Sequence, residues 1–280
     1  MKVTLIEPSG YCFGVNNAIS IVKKIRDQYK DEKIYIYGML VHNQFVIDEL
    51  KKMKIITLNK DEDISKLEKG IIISTAHGIS DDKINFFKQN GFEFFDTTCP
   101  IVKKANKNIK LSLKEFKYLF YLGKKDHPEA IASLSISNDI ILITQKEDVL
   151  KYSKDEIYAL TSQTTMTSYE VNDVYDFLIN NGYKVHKLDD VCDATTIRQK
   201  KLIEKAPIYD YVIIVGDKRS NNNTKLYELS LKYNLNSYFI SNISELQNLN
   251  LDASKTVLVS SGTSTPNFVI NEIVEYLKAL

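Results

Sequence analysis

The stretch YLFYLGKKDHPEA, residues 118–130, is an apolar run that stops at Gly123 and opens into a charged loop ahead of Pro128. A short apolar segment closed by glycine, with a helix-starting proline soon after, reads as a buried strand that delivers a polar loop at its carboxyl end. The pattern occurs twice more, in KIYIYG ending at Gly38 and YVIIVG ending at Gly216. The fourth residue beyond each glycine is polar: His42, His127 and Ser220 in chain order. A second apolar run follows in each third, GIIIS, IYALT and TVLVS. These lead into the loops STAHGIS with His77, TSQTTMT with Thr164 and SSGTSTPN with Ser264.

Each third also opens with one cysteine. Cys99 lies 87 residues after Cys12, and Cys192 lies 93 after Cys99, each directly before a helical stretch such as NNAISIVKKIRDQYK. The first polar loops follow their cysteines by 30, 28 and 28 residues, the second by 65, 65 and 72. Self-similarity at a fixed period is the mark of a repeated supersecondary unit. Strands alternating with helices predict an α/β protein with parallel sheets, and ligands bind at the carboxyl ends of such strands. The expected architecture is three similar α/β domains, residues 1–98, 99–188 and 189–280, with three cysteines and three pairs of polar loops facing a common centre.

The chain has 280 residues, 44% hydrophobic and 26% charged, with a formal charge of +1. So small a net charge gives no bulk attraction to nucleic acid or to an acidic membrane surface. Glu7 and Pro8 interrupt the N-terminal apolar run before it becomes a signal-peptide core, and no segment has transmembrane length. A cytoplasmic location and reduced thiols are expected. Three remote cysteines are an odd number with no C-x-x-C pair, so disulfides explain them poorly.

Three thiolates can instead meet at one metal centre. A structural zinc site takes a fourth protein ligand. An iron–sulfur cluster is held by cysteine thiolates, usually four, and three leave one iron open. The loops suit an anion: Ser220, Asn221 and Asn222 stand at a helix start with Lys218 and Arg219 beside them, and hydroxyls, amides and backbone N–H groups there favour phosphate. His42, His77 and His127 occupy equivalent loops of the first two repeats and can donate to phosphate oxygens. His186, outside this pattern, reads as solvated surface. Glu129, two residues after His127, is a candidate proton donor. One competing signal is CDATTIR, Cys192 to Arg198, whose C-x5-R spacing is that of cysteine-dependent phosphatases. It leaves Cys12 and Cys99 unexplained, and Asp193 opposes thiolate formation. A zinc-bound phosphometabolite sensor without turnover is a third reading.

Taken together, GYCFGV around Cys12, VHNQFV around His42, TAHGIS around His77, TTCP around Cys99, HPE around His127, TSQTT around Thr164, CDATTIRQ around Cys192, the loop from Ser220 and GTSTP around Ser264 resemble the 4-hydroxy-3-methylbut-2-enyl diphosphate reductase family of the non-mevalonate isoprenoid pathway. The resemblance spans the whole chain. It implies a trefoil-like, pseudo-threefold assembly of three α/β domains around a 4Fe-4S cluster held by Cys12, Cys99 and Cys192, with one iron open to substrate. It further implies reductive loss of the substrate's allylic hydroxyl as water, giving isopentenyl or dimethylallyl diphosphate. Electrons would come from a ferredoxin or flavodoxin. Glu129 would supply protons with Thr164 and His127 assisting, while His42, His77, Ser220, Asn221, Asn222 and Ser264 would hold the diphosphate, joined by His127 and Thr164. The sequence departs from the family at Asn221, where a second serine is common, at Lys103 and Asn106 after TTCP, and at Asp126.

Overall fold

The structure, a computed structural model, describes residues 1–59, 61–188 and 191–280. Its first third contains β1 (Lys2–Leu5), α1 (Phe13–Gln28), β2 (Ile34–Tyr37), α2 (Gln44–Lys52), β3 (Ile55–Leu58), β4 (Ile71–Ile73), α3 (Asp81–Gln89) and β5 (Glu93–Phe95). The second holds α4 (Pro100–Ser112), β6 (Tyr118–Leu122), α5 (Pro128–Leu134), β7 (Ile140–Ile143), β8 (Ile157–Ser162), α6 (Ser168–Asn180) and β9 (Lys184–Lys187). The last comprises α7 (Asp193–Lys205), β10 (Tyr211–Val215), α8 (Asn221–Tyr233), β11 (Ser237–Ile240), α9 (Ile243–Gln247), β12 (Thr256–Ser261) and α10 (Asn267–Ala279).

The strands form three parallel four-stranded sheets, in the orders β3-β2-β4-β5, β7-β6-β8-β9 and β11-β10-β12-β1. Central strands such as Ile71–Ile73 and Val212–Val215 are buried along their length, as parallel sheets with both faces covered require. Phe120 stacks on Tyr158 with centroids 4.3 Å apart, a cross-strand aromatic contact on one face of the second sheet. In every sheet the strand order reverses between its two middle strands. That reversal is the switch point where the backbones diverge and leave a crevice at the carboxyl ends. Loops from both middle strands of each sheet carry the polar residues singled out by the sequence pattern.

β1 occupies a place in the third sheet that its position in the chain does not announce. It pairs in parallel with β12, Lys2 opposite Thr256 and Leu5 opposite Val259, and so plays the part that β5 and β9 play in the other sheets. The Met1 ammonium donates to the Leu277 carbonyl at 3.2 Å, fastening it beside α10. The first strand of the expected 1–98 domain therefore belongs to the sheet of residues 211–261, because a parallel partner can come from any distance along the chain. The expected boundary between residues 188 and 189 lies outside the described residues. By packing, the chain forms two compact units: residues 1–16, 41–49 and 193–280, with the third sheet, and residues 17–40 and 50–192, with the other two. No helix among the described residues is long and apolar enough to cross a membrane.

Candidate functional site

The three cysteines are held by one repeated device. Each directly precedes a helix, and each backbone N–H donates to a carbonyl in the loop after a second middle strand. Cys99 N–H reaches Ala76 O at 3.0 Å, Cys192 N–H reaches Thr164 O at 3.1 Å, and Cys12 N–H reaches Thr263 O at 3.0 Å. The acceptor thus lies one third earlier in the chain, with the last loop serving the first cysteine. Ala76 and Thr263 immediately precede His77 and Ser264, so the hydrogen-bond register matches these two to Thr165 rather than to Thr164. None of the thiols is in a disulfide, and all three residues are half-buried.

In the second compact unit, Asp96 organises the turn before Cys99. Its Oδ1 accepts from the Thr98 N–H at 2.9 Å and the Ser74 hydroxyl at 3.0 Å, while Oδ2 pairs with Lys103 at 2.6 Å. Burial works against the charged form, yet the Lys103 ammonium and the Thr98 donors hold the Asp96 carboxyl below its ordinary range. Lys103, one of the departures from the family pattern, thus closes an ion pair on the cysteine turn. Asn106, another, accepts from the Ser133 hydroxyl at 2.8 Å.

His127 caps α5. Its Nδ1 accepts from the Glu129 N–H at 3.2 Å, so the proton of the neutral ring sits on Nε2. The His77 ring meets that of His127 edge-on at 5.2 Å. Glu129 is 2% exposed, and Thr164 meets both of its carboxylate oxygens: the Thr164 N–H donates to Oε1 at 2.7 Å and the Thr164 hydroxyl to Oε2 at 3.0 Å. Gln163 joins this loop, accepting from the Lys124 N–H at 3.1 Å and donating to the Thr165 hydroxyl at 2.7 Å. His186 is exposed in β9 and stacks on Phe116, in keeping with a surface role.

In the first compact unit, Ser220 caps α8, and the Ser264 hydroxyl donates to its oxygen at 3.5 Å. Asn221, Asn222 and Asn223 fill the buried first turn of that helix, whose open N–H groups and dipole favour an anion. Asn223 donates to Asp217 O at 3.0 Å, and its amide lies against Gly216 and Gly262. A Cβ on Gly262 would stand 1.4 Å from Asn223 Oδ1, so only glycine fits there. His42 precedes Asn43, whose side chain caps α2 by accepting from the Phe45 N–H at 2.9 Å. The Gln44 N–H donates to Asp217 Oδ2 at 3.0 Å, tying the His42 segment to the loop before Ser220.

Lys218 and Arg219 are both engaged by carboxylates. Lys218 pairs with Glu245 at 2.9 Å and Arg219 with Asp217 at 2.6 Å. Burial opposes ionisation of Asp217, but Arg219 and the backbone N–H groups keep its carboxyl below the usual range. Arg198 is likewise withdrawn from the phosphatase role: it is 1% exposed and its guanidinium donates to the carbonyls of Ser261 and Gly10, not into an anion cradle. Tyr11, next to Cys12, keeps its proton, its hydroxyl pushed up to about 12 by burial and by the nearby Glu49.

Sequence patterns passed over Asp96, Gln163 and Thr165. Asp96 had a local signal, an acid before TTCP; the others owe their places to contacts made across the sheets.

Parallel sheets whose switch-point loops bear histidines and hydroxyls, each with a cysteine beyond one edge strand, define a class: α/β proteins that gather polar groups and thiols at the carboxyl ends of their strands. The chain belongs to the LytB protein family, whose model matches residues 3–278. It is 34% identical to the 4-hydroxy-3-methylbut-2-enyl diphosphate reductase of Macrococcus caseolyticus, over 99% of this chain and 89% of that one. Identity to the Bacillus subtilis reductase is 35%, over 99% and 91% of the two chains. Among solved structures, the Plasmodium falciparum E-1-hydroxy-2-methyl-but-2-enyl-4-diphosphate reductase superposes with a TM-score of 0.87 at 26% identity, covering 98% of this chain and 87% of that one. A second, described as the terminal enzyme of the non-mevalonate pathway, gives 0.70 at 26% identity with both chains fully covered.

Proposed function

We propose that this chain is an oxidoreductase that converts 4-hydroxy-3-methylbut-2-enyl diphosphate to isopentenyl and dimethylallyl diphosphate. Two electrons and two protons enter, the hydroxyl oxygen leaves as water, and the second proton goes to either of two allylic carbons. The observation that carries the reading is the trio of cysteines, each tethered through its N–H to an equivalent loop. Three thiols outside any disulfide are the soft donor set that an iron–sulfur cluster takes, so Cys12, Cys99 and Cys192 fit as its ligands. A 4Fe-4S cluster so held supplies one-electron transfer and one iron without a thiolate as a Lewis acid.

The chain's own groups then divide the remaining work. Glu129 Oε1 is occupied by the Thr164 N–H, which leaves Oε2 to carry a proton and the Thr164 hydroxyl to relay it. His127, with its proton on Nε2, and His77 donate toward substrate oxygens. The start of α8, with Ser220, Asn221, Asn222 and Ser264, binds the diphosphate, assisted by His42. That group is remote from the bond that breaks, so its binding energy serves to orient the hydroxyl. A cytoplasmic setting and a ferredoxin or flavodoxin donor complete the reading.

The test is iron and acid-labile sulfide per chain in anaerobically purified protein, beside Cys12→Ser, Cys99→Ser and Cys192→Ser. Near-equal iron and sulfide, lowered by each substitution, together with reduction of the allylic diphosphate by chemically reduced viologen, is the expected result. Neither iron nor sulfide after anaerobic reconstitution would sink it.

A further inference from the structure

Arg198 is a charged side chain held at 1% exposure on α7, and the chemistry above gives it no part. Its two terminal nitrogens serve different segments. Nη1 donates to Ser261 O at 2.7 Å, at the end of β12, and Nη2 donates to Gly10 O at 2.6 Å, two residues before Cys12. The clasp is closed from the other side, since the Gly10 N–H donates to Ser261 Oγ at 3.1 Å and the Cys12 N–H to Thr263 O at 3.0 Å. Gly10 has φ +70° and a Cβ on it would lie 1.5 Å from Asn267 Oδ1, so only glycine can take this turn. One turn along α7, Lys201 donates to Glu7 O at 2.7 Å, at the rim of the same turn.

Burying a guanidinium among carbonyls is costly unless its donors are satisfied, and a planar fork can span two carbonyls where an ammonium cannot. We propose that Arg198 is the positioning residue of the Cys12 ligand: it pins the Gly10–Cys12 turn to the end of β12, so that the thiolate meets the metal centre in one geometry. This rests on the three-thiolate reading. It also reassigns C-x5-R from binding an anion to building a ligand turn.

The experiment compares Arg198→Met, Arg198→Lys and Ser261→Ala with the parent protein, all purified anaerobically. Three quantities are read: amide hydrogen exchange across residues 9–12, the rate of iron release to a chelator, and the electron paramagnetic resonance spectrum of the reduced cluster. In Arg198→Met, exchange in the turn rises at least tenfold while amides of β10 stay protected, iron leaves several-fold faster and the spectrum shifts. Arg198→Lys, which keeps the charge but reaches one carbonyl, falls between. Lys201→Met, at the solvent-exposed rim, changes all three less. Parent-like exchange, release and spectrum in folded Arg198→Met overturn the proposal, and if that variant does not fold, the same result in Arg198→Lys does so. Absence of iron from the parent protein counts against the three-thiolate reading instead, and exchange in the turn then decides the clasp alone.

Discussion

Thr164 grips Glu129 twice, through its backbone N–H to Oε1 at 2.7 Å and through its hydroxyl to Oε2 at 3.0 Å. The first contact fixes the carboxylate, and the second sets a hydroxyl against its other oxygen. Glu129→Gln keeps the shape and removes the acid, so turnover should fall by about 10²–10⁴-fold. Iron content should stay at the parent level. Full activity in that variant refutes the assignment.

The hydroxyl can be separated from the backbone contact. Thr164→Val preserves the N–H to Oε1 and deletes the relay, whereas Thr164→Ser preserves both. Turnover in the valine variant should drop with little change in KM, and the serine variant should restore most of it. Equal rates in the two would remove Thr164 from the proton path.

Asp96 links acid sensitivity to the Cys99 turn. Its folded-state pKa lies below the unfolded value of about 3.9, so the stability it contributes is fully present above that pH and is lost as pH falls through the folded value. Asp96→Asn should cost about 1–3 kcal/mol at pH 7, toward the low end because the Lys103 pair is partly solvated. The gap between variant and parent should close in urea titrations as pH falls below about 4. A gap that stays constant with pH would show that the charge of Asp96 does not matter.

Gly262→Ala drives a methyl into the Asn223 amide, which must move together with the first turn of α8. Overpacking of this kind costs about 1–3 kcal/mol. The KM for the diphosphate substrate should rise more than kcat falls, because the anion-binding N–H groups shift while Glu129 and Thr164 do not. An unchanged KM would separate the α8 turn from diphosphate binding.

The legible part of this protein was its repetition. Apolar runs closed by Gly38, Gly123 and Gly216 gave away the first middle strands, and the polar residues beyond them marked the switch points, because strand burial and loop chemistry are both local. Glu129 could be named from its distance to His127, but not its grip by Thr164, which joins loops 35 residues apart. Arg198 was misleading in sequence for the same reason: C-x5-R states a spacing, and whether the side chain points at an anion or at two carbonyls is settled by β12 and the Gly10 turn. The place of β1 was hidden because its partner β12 lies at the far end of the chain.

That pairing orders events during synthesis. At roughly 5–20 residues per second, Lys2 is made about 13–51 s before Thr256, and β1 spends that interval without its parallel neighbour. Ala76 and Thr164, the acceptors for the Cys99 and Cys192 turns, are translated before the cysteines they hold, whereas Thr263 and Ser261 follow Cys12 far along the chain. Of the three thiols, the first to be made is thus the last to be seated.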